Sequence, residues 1–214
     1  MNEAKSNNTN FGRDLKIVLI GNISTGKTSI VERYLNNKFD IKCKATISPN
    51  FSYKIIKKDN ILYRIQFWDI PGQDRSPSLT RIFCTNARGV IFCCEVQNKN
   101  SRDDILNWKK SLEGYLDLNN MPMIIMENKC DLLGDEEHYN DEFEELKNFS
   151  DNNNITGAFR TSALNGYNIE KAIKFLLDET IKNFDEEEEL EKSYKENSHK
   201  IVMEPKKNKD KKCC

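Results

Sequence analysis

The fold is decided by residues 15–35, which read LKIVLIGNISTGKTSIVERYL. The first six are apolar apart from one lysine, a pattern typical of a strand that is buried on both faces of a parallel sheet. A glycine-containing turn follows, and the apolar residues beyond it recur at helical spacing. The stretch therefore predicts a strand, a loop and a helix in direct succession.

The turn, GNISTGKT at residues 21–28, fits the phosphate-binding pattern G-x-x-x-x-G-K-[ST]. In such a loop backbone N–H groups wrap a phosphate, and Gly26 allows the backbone to come close. Lys27 would neutralise phosphate charge, Thr28 would ligate Mg²⁺, and the following helix would point its N-terminal N–H groups at the anion. A glycine turn in any α/β protein is the alternative, which the motifs further along the chain disfavour.

Strand and helix patterns alternate through the rest of the chain. One hairpin interrupts the alternation, and its turn is the short sequence KDN. This order predicts an α/β fold: a P-loop three-layer α/β/α domain with a six-stranded, mostly parallel sheet and one antiparallel strand. The further strands are expected at 50–57, 61–70, 89–96, 121–128 and 156–163, and the further helices at roughly 102–118, 141–150 and 168–184.

The composition argues against several classes of function. The 214 residues include 33 basic and 34 acidic side chains, and a net charge of -1 gives no reason to expect nucleic acid as a partner. No apolar run is long enough for a transmembrane helix, and the N-terminus lacks the apolar core of a secretory signal, so we expect a cytosolic chain. The absence of a CxxC pair, with only two histidines present, argues against a zinc site.

The composition changes near Phe184. An acidic block, DEEEELE, occupies residues 185–191, and the chain is lysine-rich from residue 204 onwards. The acidic block is either the solvated end of the last helix or a disordered start of the tail, and we expect it to keep the tail extended. We predict a disordered N-terminal arm at 1–12, a single domain at 13–184, and an acidic and then lysine-rich tail at 185–214.

A second motif, NKCD at residues 128–131, follows the predicted strand MPMIIMEN. The Asp131 carboxylate can accept hydrogen bonds from both the N1–H and the 2-amino group of guanine, a pattern that adenine lacks. Asn128 would brace the pocket, and the Lys129 stem would lie along the purine face. Because ligands in open α/β sheets bind at the carboxyl ends of strands, this position favours guanine recognition over a surface turn. It also disfavours a P-loop enzyme that uses ATP.

Three further stretches complete a family pattern: KATI at 44–47, WDIPGQDR at 68–75 and TSAL at 161–164. With these motifs in order, residues 13–184 resemble the Ras superfamily of small GTPases and, within it, the Rab branch. The sequence TRI at 80–82 is most similar to Rabs of lysosome-related organelles. The resemblance implies a switch that binds GTP and GDP with Mg²⁺, hydrolyses GTP and regulates vesicle and membrane traffic.

The resemblance also assigns roles to single residues. Thr46 would close over the nucleotide with its hydroxyl on Mg²⁺, and Asp69 would hold a water on that ion. The Gly72 N–H would touch the γ-phosphate, and the catalytic Gln73 would orient the attacking water unless it is a plain surface amide. Phe39 would pack against the guanine, or else serve as a core aromatic. The residues expected to bind nucleotide are Gly21, Ser24, Thr25, Gly26, Lys27, Thr28, Ser29, Phe39, Thr46, Gly72, Asn128, Lys129, Asp131, Ser162, Ala163 and Leu164, and those expected at the metal are Thr28, Thr46 and, through water, Asp69.

Two residues depart from the family pattern next to the phosphates. Ile23 stands where many Ras-type members have glycine, and it can crowd the space that Gln73 needs. Pro71 replaces the usual alanine, fixes φ and removes an N–H, which stiffens a segment that must change shape. We therefore expect a slow GTPase that depends on a GTPase-activating protein (GAP). The alternative is a hydrolysis-poor GTP-binding scaffold that recruits effectors without efficient cycling.

The last two residues, Cys213 and Cys214, resemble the double-geranylgeranylation site of Rabs. Two lipid chains would make anchoring stable where one is marginal, and five nearby lysines would add attraction to an anionic membrane. The family implies a monomer found in the cytosol and on the cytoplasmic face of intracellular membranes. Its expected partners are an exchange factor, a GAP, an escort or GDI-type carrier, and effector proteins.

Overall fold

A computed structural model describes residues 13–72, 77–139 and 142–202. The strands and helices, in chain order, are β1 (Arg13–Ile20), α1 (Lys27–Asn36), β2 (Asn50–Lys58), β3 (Ile61–Asp69), α2 (Pro77–Cys84), β4 (Gly89–Glu95), α3 (Lys99–Glu113), β5 (Met123–Asn128), α4 (Phe143–Asn152), β6 (Gly157–Arg160) and α5 (Ile169–Val202). The 6-stranded sheet has the order β2-β3-β1-β4-β5-β6, and every pair of neighbours is parallel except β2 and β3. The predicted fold class, with its one antiparallel strand, is confirmed.

Strand β1 separates two hydrophobic layers, which explains why its sequence is apolar. Leu15, Ile17 and Leu19 pack with α1 and α5 on one face of the sheet. Val18 and Ile20 pack with α3 and α4 on the other face. All five side chains are completely buried, and each such burial stabilises the fold by about 1.5–3 kcal/mol. A polar residue at any of these positions would therefore face a hydrophobic layer.

The parallel strands end together at one edge of the sheet. Leu19 of β1 lies opposite Asp69 of β3, and Glu95 of β4 lies opposite Asn128 of β5. Because these strands run in the same direction, the loops that follow them gather above this carboxyl edge. Those loops carry the P-loop, the segment after β3 and the NKCD motif, so the fold itself brings the predicted motifs together.

Helix α5 is longer than the sequence pattern indicates. The pattern places its end near residue 184, whereas the helix continues to Val202. The acidic block at 185–191 is therefore helical, and its interpretation as a disordered start of the tail is wrong. Within the described parts of the chain, no helix contains an apolar stretch that could cross a membrane.

Two arginines hold the extension of α5 at the amino edge of the sheet. The Phe184 ring contacts the guanidinium groups of both Arg13 and Arg88, whose central carbons are 5.6 and 5.3 Å from the ring centroid. Arg13 also donates to the Tyr63 hydroxyl at 3.2 Å. Cation–π contacts and ion pairs at such sites contribute up to about 1 kcal/mol each, so several together stabilise one helical turn. The carboxylates paired with Arg13 are Asp185 and Glu188, and Glu187 pairs with Arg88.

Candidate functional site

A cavity of about 430 Å³ opens at the carboxyl edge of the sheet. Its walls are the P-loop, the segment 39–46, Gly72, and the loops that follow β5 and β6. Five separate stretches of the chain thus meet around one space. The predicted site residues that line it are Ser24, Gly26, Lys27, Thr28, Ser29, Phe39, Thr46, Gly72, Asn128, Lys129, Asp131, Ala163 and Leu164.

Three other predicted residues lie behind the cavity wall. Gly21, Thr25 and Ser162 each share a hydrogen bond with a residue that lines the cavity. They support the wall without forming its surface. The predicted catalytic and prenylation residues lie outside the described residues: Gln73, Cys213 and Cys214.

The P-loop takes its shape from Gly26 and Lys27. Gly26 has a φ of +93°, and a Cβ there would lie 2.3 Å from Asn128 Nδ2, so both the backbone and the available space require glycine. Lys27 Nζ donates to the carbonyl oxygens of Gly21 and Asn22 at 2.9 and 2.8 Å. Burial lowers the pKa of the Lys27 ammonium. A cation so poorly solvated attracts an anion more strongly than one in water does.

Thr28 and Thr46 line one corner of the cavity, and Asp69 contacts Thr28 without lining the cavity itself. Thr28 Oγ1 lies 2.8 Å from Thr46 Oγ1 and donates to Asp69 Oδ2 at 2.5 Å. Asp69 is 2% exposed, and its Oδ1 has no hydrogen-bond partner among the described residues. Burial raises the pKa of Asp69 and outweighs the opposing hydrogen bond from Thr28. The two hydroxyls and the carboxylate present oxygen ligands of the kind that Mg²⁺ prefers, so these residues fit Mg²⁺.

Asn128 connects three loops through its side chain. Its Nδ2 donates to the Thr25 carbonyl at 3.0 Å, and its Oδ1 accepts from the Ala163 N–H at 3.0 Å. The side chain is buried, and both of its polar ends are satisfied. Asn128 therefore fixes the distance between the P-loop and the loop after β6.

The far end of the cavity contains charged groups of both signs. The Asp131 carboxylate accepts a hydrogen bond from the Ser162 hydroxyl. Lys129 has a φ of 64°, in the left-handed region, and its ammonium pairs with the Glu95 carboxylate. The hydrogen bond from Ser162 orients the Asp131 carboxylate, which is the group predicted to read the base.

A buried ion pair that no sequence motif indicates lies behind these loops. Arg160 Nε lies 2.5 Å from Glu127 Oε2, and the two residues are 5% and 3% exposed. They directly precede the TSAL and NKCD motifs and lie opposite each other in the register of β5 and β6. No motif indicates Arg33 either, although its guanidinium donates to the carbonyls of Ala163 and Leu164. The only indication of the ion pair in the sequence was the presence of one acidic and one basic residue, Glu127 and Arg160, near the ends of two predicted strands.

Ile23 and Pro71, which depart from the family pattern, lie on either side of a close contact. A Cβ on Gly72 would lie 2.4 Å from both Asn22 C and Ile23 N, so this segment runs directly over the P-loop. The Ile23 side chain is 43% exposed on the cavity wall, and Pro71 is buried. Both departures therefore stand where the P-loop meets the segment after β3.

Comparisons with known proteins agree with this geometry. Residues 16–182 match the model of the Ras family. Ras-related protein Rab-32A of Dictyostelium discoideum is 35% identical in an alignment of 173 positions that covers 78% of this chain and 78% of its own length. Ras-related protein Rab-32 of Mus musculus is 33% identical over 78% of this chain and 76% of its own length. Ras-related protein Rab-7L1 of Homo sapiens is 31% identical over 80% of this chain and 85% of its own.

Proposed function

We propose that this chain, which belongs to the Ras family as a Rab-type small GTPase, works as a GTP-controlled switch on the cytoplasmic face of intracellular membranes. As a member of that family it binds GTP and GDP with Mg²⁺, hydrolyses GTP and regulates membrane traffic. The proposal adds which residues carry these steps, how the tail is anchored, and which partners operate the switch.

The observation that carries the proposal is the meeting of five separate motifs around one cavity of about 430 Å³. Ligand pockets of small molecules commonly have volumes of this order. The Asn128 side chain, bonded to both Thr25 and Ala163, holds the phosphate-binding and base-binding loops at a fixed distance. A nucleotide, with phosphates at one end and a base at the other, suits such an arrangement.

At the phosphate end we assign the β- and γ-phosphates to Lys27 and the P-loop N–H groups. Thr28 and Thr46 would hold the metal through their hydroxyls, and Asp69 would hold it through a water. Bound Mg²⁺ supplies positive charge that offsets charge on the β- and γ-oxygens. The Gly72 N–H would contact the γ-phosphate, so the segment after β3 would sense whether that phosphate is present. The buried Asp69 Oδ1, which has no partner among the described residues, and the hydroxyls of Thr28 and Thr46 on the Oδ2 side of the carboxylate support this assignment.

At the base end we assign recognition of guanine to Asp131. Its carboxylate would accept from N1–H and from the 2-amino group, while the stem of Lys129 and the ring of Phe39 would contact the purine. The Ala163 N–H donates to Asn128 in the structure, and guanine O6 would share this donor. Ser162 supports the assignment, because its hydroxyl orients the Asp131 carboxylate.

Hydrolysis is assigned to Gln73, which would orient the attacking water. We expect a slow intrinsic rate that a GAP raises, since Ile23 and Pro71 border the Gly72 contact where Gln73 would have to move. The same two residues favour a second candidate function, a hydrolysis-poor GTP-binding scaffold that recruits effectors. The two candidate functions differ in the rate of GTP hydrolysis and use the same nucleotide site.

We assign membrane attachment to prenylation of Cys213 and Cys214 at the end of the tail. Two lipid chains anchor stably, and each basic residue close to an anionic surface adds about 1 kcal/mol. The proposed domain remains 13–184, with a short arm at 1–12 and a hypervariable tail at 185–214 that begins within α5. An exchange factor, a GAP, a GDI-type carrier and effectors would act on the monomeric switch.

The test is nucleotide binding and single-turnover hydrolysis by the purified full chain. We expect Mg²⁺-dependent binding of GTP and GDP that excess ATP does not compete, and slow hydrolysis that Gln73→Leu reduces further. A parent rate no greater than that of Gln73→Leu would favour the scaffold. Competition by ATP as strong as by GTP would contradict the assignment of the base end.

A further inference from the structure

The side chain of Asn22, the second residue of the P-loop, joins that loop to helix α3. Its Oδ1 accepts from the Trp108 indole Nε1 at 3.0 Å, and its Nδ2 donates to Asp104 Oδ2 at 2.6 Å. Trp108 is 3% exposed and packs in the hydrophobic layer beneath α3. Because both polar ends of Asn22 are bonded to one helix, the side chain cannot turn without breaking both of these hydrogen bonds.

The backbone of Asn22 faces the phosphate end of the cavity. Its carbonyl oxygen accepts from Lys27 Nζ at 2.8 Å and from Thr25 Oγ1 at 2.9 Å. The peptide between Asn22 and Ile23 is also the surface on which Gly72 rests, with no room for a Cβ between them. One residue thus connects α3, the P-loop lysine and the segment after β3.

We propose that Trp108 and Asp104 are positioning residues, which act through Asn22 to hold the P-loop and Gly72 in the arrangement that a triphosphate needs. The inference rests on the proposed function, in which the Gly72 N–H contacts the γ-phosphate. GDP needs the P-loop alone, whereas GTP needs the P-loop and Gly72 together. Loosening Asn22 should therefore impair retention of GTP more than retention of GDP.

The hydrogen bonds of Asp104 suggest a test in which the amide of Asn22 and the carboxylate of Asp104 exchange positions. Asp104 Oδ2 accepts from Asn22 and Oδ1 accepts from Asn107 Nδ2 at 3.0 Å. Asn22→Asp keeps the acceptor for Trp108 but places a carboxylate against that of Asp104. In the double variant Asn22→Asp with Asp104→Asn, the new amide at 104 donates to the new carboxylate at 22 and still accepts from Asn107. The double variant has the parent's net charge.

The measurement is the dissociation rate of fluorescent GDP and of a non-hydrolysable GTP analogue from the full chain with Mg²⁺. Loss of one partly buried hydrogen bond to a carboxylate corresponds to about tenfold, so we expect Asn22→Asp to speed release of the GTP analogue by about that factor and release of GDP by less. The double variant should return to within about twofold of the parent. Ser111→Ala, an exposed change on the same helix, should leave both rates unchanged.

Trp108→Phe gives a second route to the same answer. It removes the indole donor without adding charge, so it remains informative if Asn22→Asp does not fold. Like Asn22→Asp, it should speed release of the GTP analogue more than release of GDP. Equal acceleration for both nucleotides would mean that Asn22 only stabilises the domain, and would overturn the proposal. So would a double variant as impaired as Asn22→Asp, since charge near the phosphates would then explain the effect. A parent chain that binds no guanine nucleotide would instead overturn the proposed function.

Discussion

Asp69 accepts a hydrogen bond from the Thr28 hydroxyl at 2.5 Å through Oδ2, while its Oδ1 is buried without a partner among the described residues. An unsatisfied buried carboxylate oxygen costs about 1–3 kcal/mol, which a ligand at this corner would recover. Thr46 adds a second hydroxyl 2.8 Å from that of Thr28. The corner is therefore arranged for a cation that accepts oxygen ligands.

The first prediction concerns Thr28 in this corner. Thr28→Asn should weaken binding of GTP by about ten- to a hundredfold and binding of GDP by less, because GTP brings a γ-oxygen to the metal and recruits Thr46. The affinities of GDP and a non-hydrolysable GTP analogue, measured with and without a chelator, provide the check. An equal loss for both nucleotides would mean that Thr28 serves only to begin helix α1.

The choice of base should depend on the carboxylate of Asp131. In Asp131→Asn an amide N–H₂ faces the donors of guanine, and a buried donor without an acceptor costs about 1–3 kcal/mol for each group. Affinity for GTP should fall by orders of magnitude, and affinity for xanthosine triphosphate, which offers a carbonyl there, should rise. Competition binding with both nucleotides measures this change in base preference. Unchanged GTP affinity would remove Asp131 from the base site.

The rate of hydrolysis should increase when Pro71 is replaced. Pro71→Ala restores an N–H and frees φ one residue before Gly72, so the following residue Gln73 can reach its position more often. We expect a several-fold higher single-turnover rate, which corresponds to about 1 kcal/mol in the barrier. Pro122→Ala, at the opposite edge of the sheet, is the control and should leave the rate unchanged. A rate that stays the same or falls in Pro71→Ala would contradict this explanation.

The extension of α5 should depend on the arginines at the amino edge. Arg13→Gln combined with Arg88→Gln removes the partners of Phe184 and of three carboxylates, at a cost of up to about 1 kcal/mol per contact. Amide hydrogen exchange should speed up several-fold over 185–194 and remain unchanged in the sheet. High salt should produce a similar effect in the parent, because screening weakens exposed ion pairs. Lys182→Gln, exposed on the same helix, is the matched control.

Membrane residence should require both terminal thiols. Cys213→Ser with Cys214→Ser should abolish sedimentation with membranes at any salt concentration, since each lipid chain contributes about 0.8 kcal/mol per buried CH₂. Replacing the five lysines nearest the terminal cysteines by Gln should only weaken binding of the prenylated protein to anionic liposomes and flatten its salt dependence; these are Lys206, Lys207, Lys209, Lys211 and Lys212. If the double cysteine variant still pellets with membranes, the anchor lies elsewhere in the chain.

Local sequence was sufficient wherever one element determines its own structure. The apolar run before Gly21 predicts a strand buried on both faces, and the glycine and lysine spacing predicts the loop that follows. The alternation of such units predicted the sheet and its antiparallel strand, because parallel strands need helical crossovers and hairpins do not. The motifs then had to meet at one edge, as parallel strands end there.

Contacts that arise only from strand register or tertiary packing were not predictable in this way. Glu127 and Arg160 look like isolated charges until β5 and β6 pair and place them opposite each other. The acidic block was expected to be exposed to solvent, yet three of its carboxylates form ion pairs with Arg13 and Arg88, which are distant in sequence. Asn22 fits a motif position that accepts any residue, and its bonds to α3 depend on how that helix packs.

The continuation of α5 also affects how the domain would be oriented relative to a surface that held its tail. The helix passes the core at Phe184 and continues to Val202, which at 1.5 Å per residue is about 27 Å of rod. It leaves from the amino edge of the sheet, on the side opposite the cavity. A surface that held the chain beyond Val202 would therefore be separated from the domain by this length of helix, and the cavity would lie on the side of the domain away from that surface. A helical spacer fixes direction as well as distance, so a protein that approached from the far side would meet the segment 39–46 and the segment after β3.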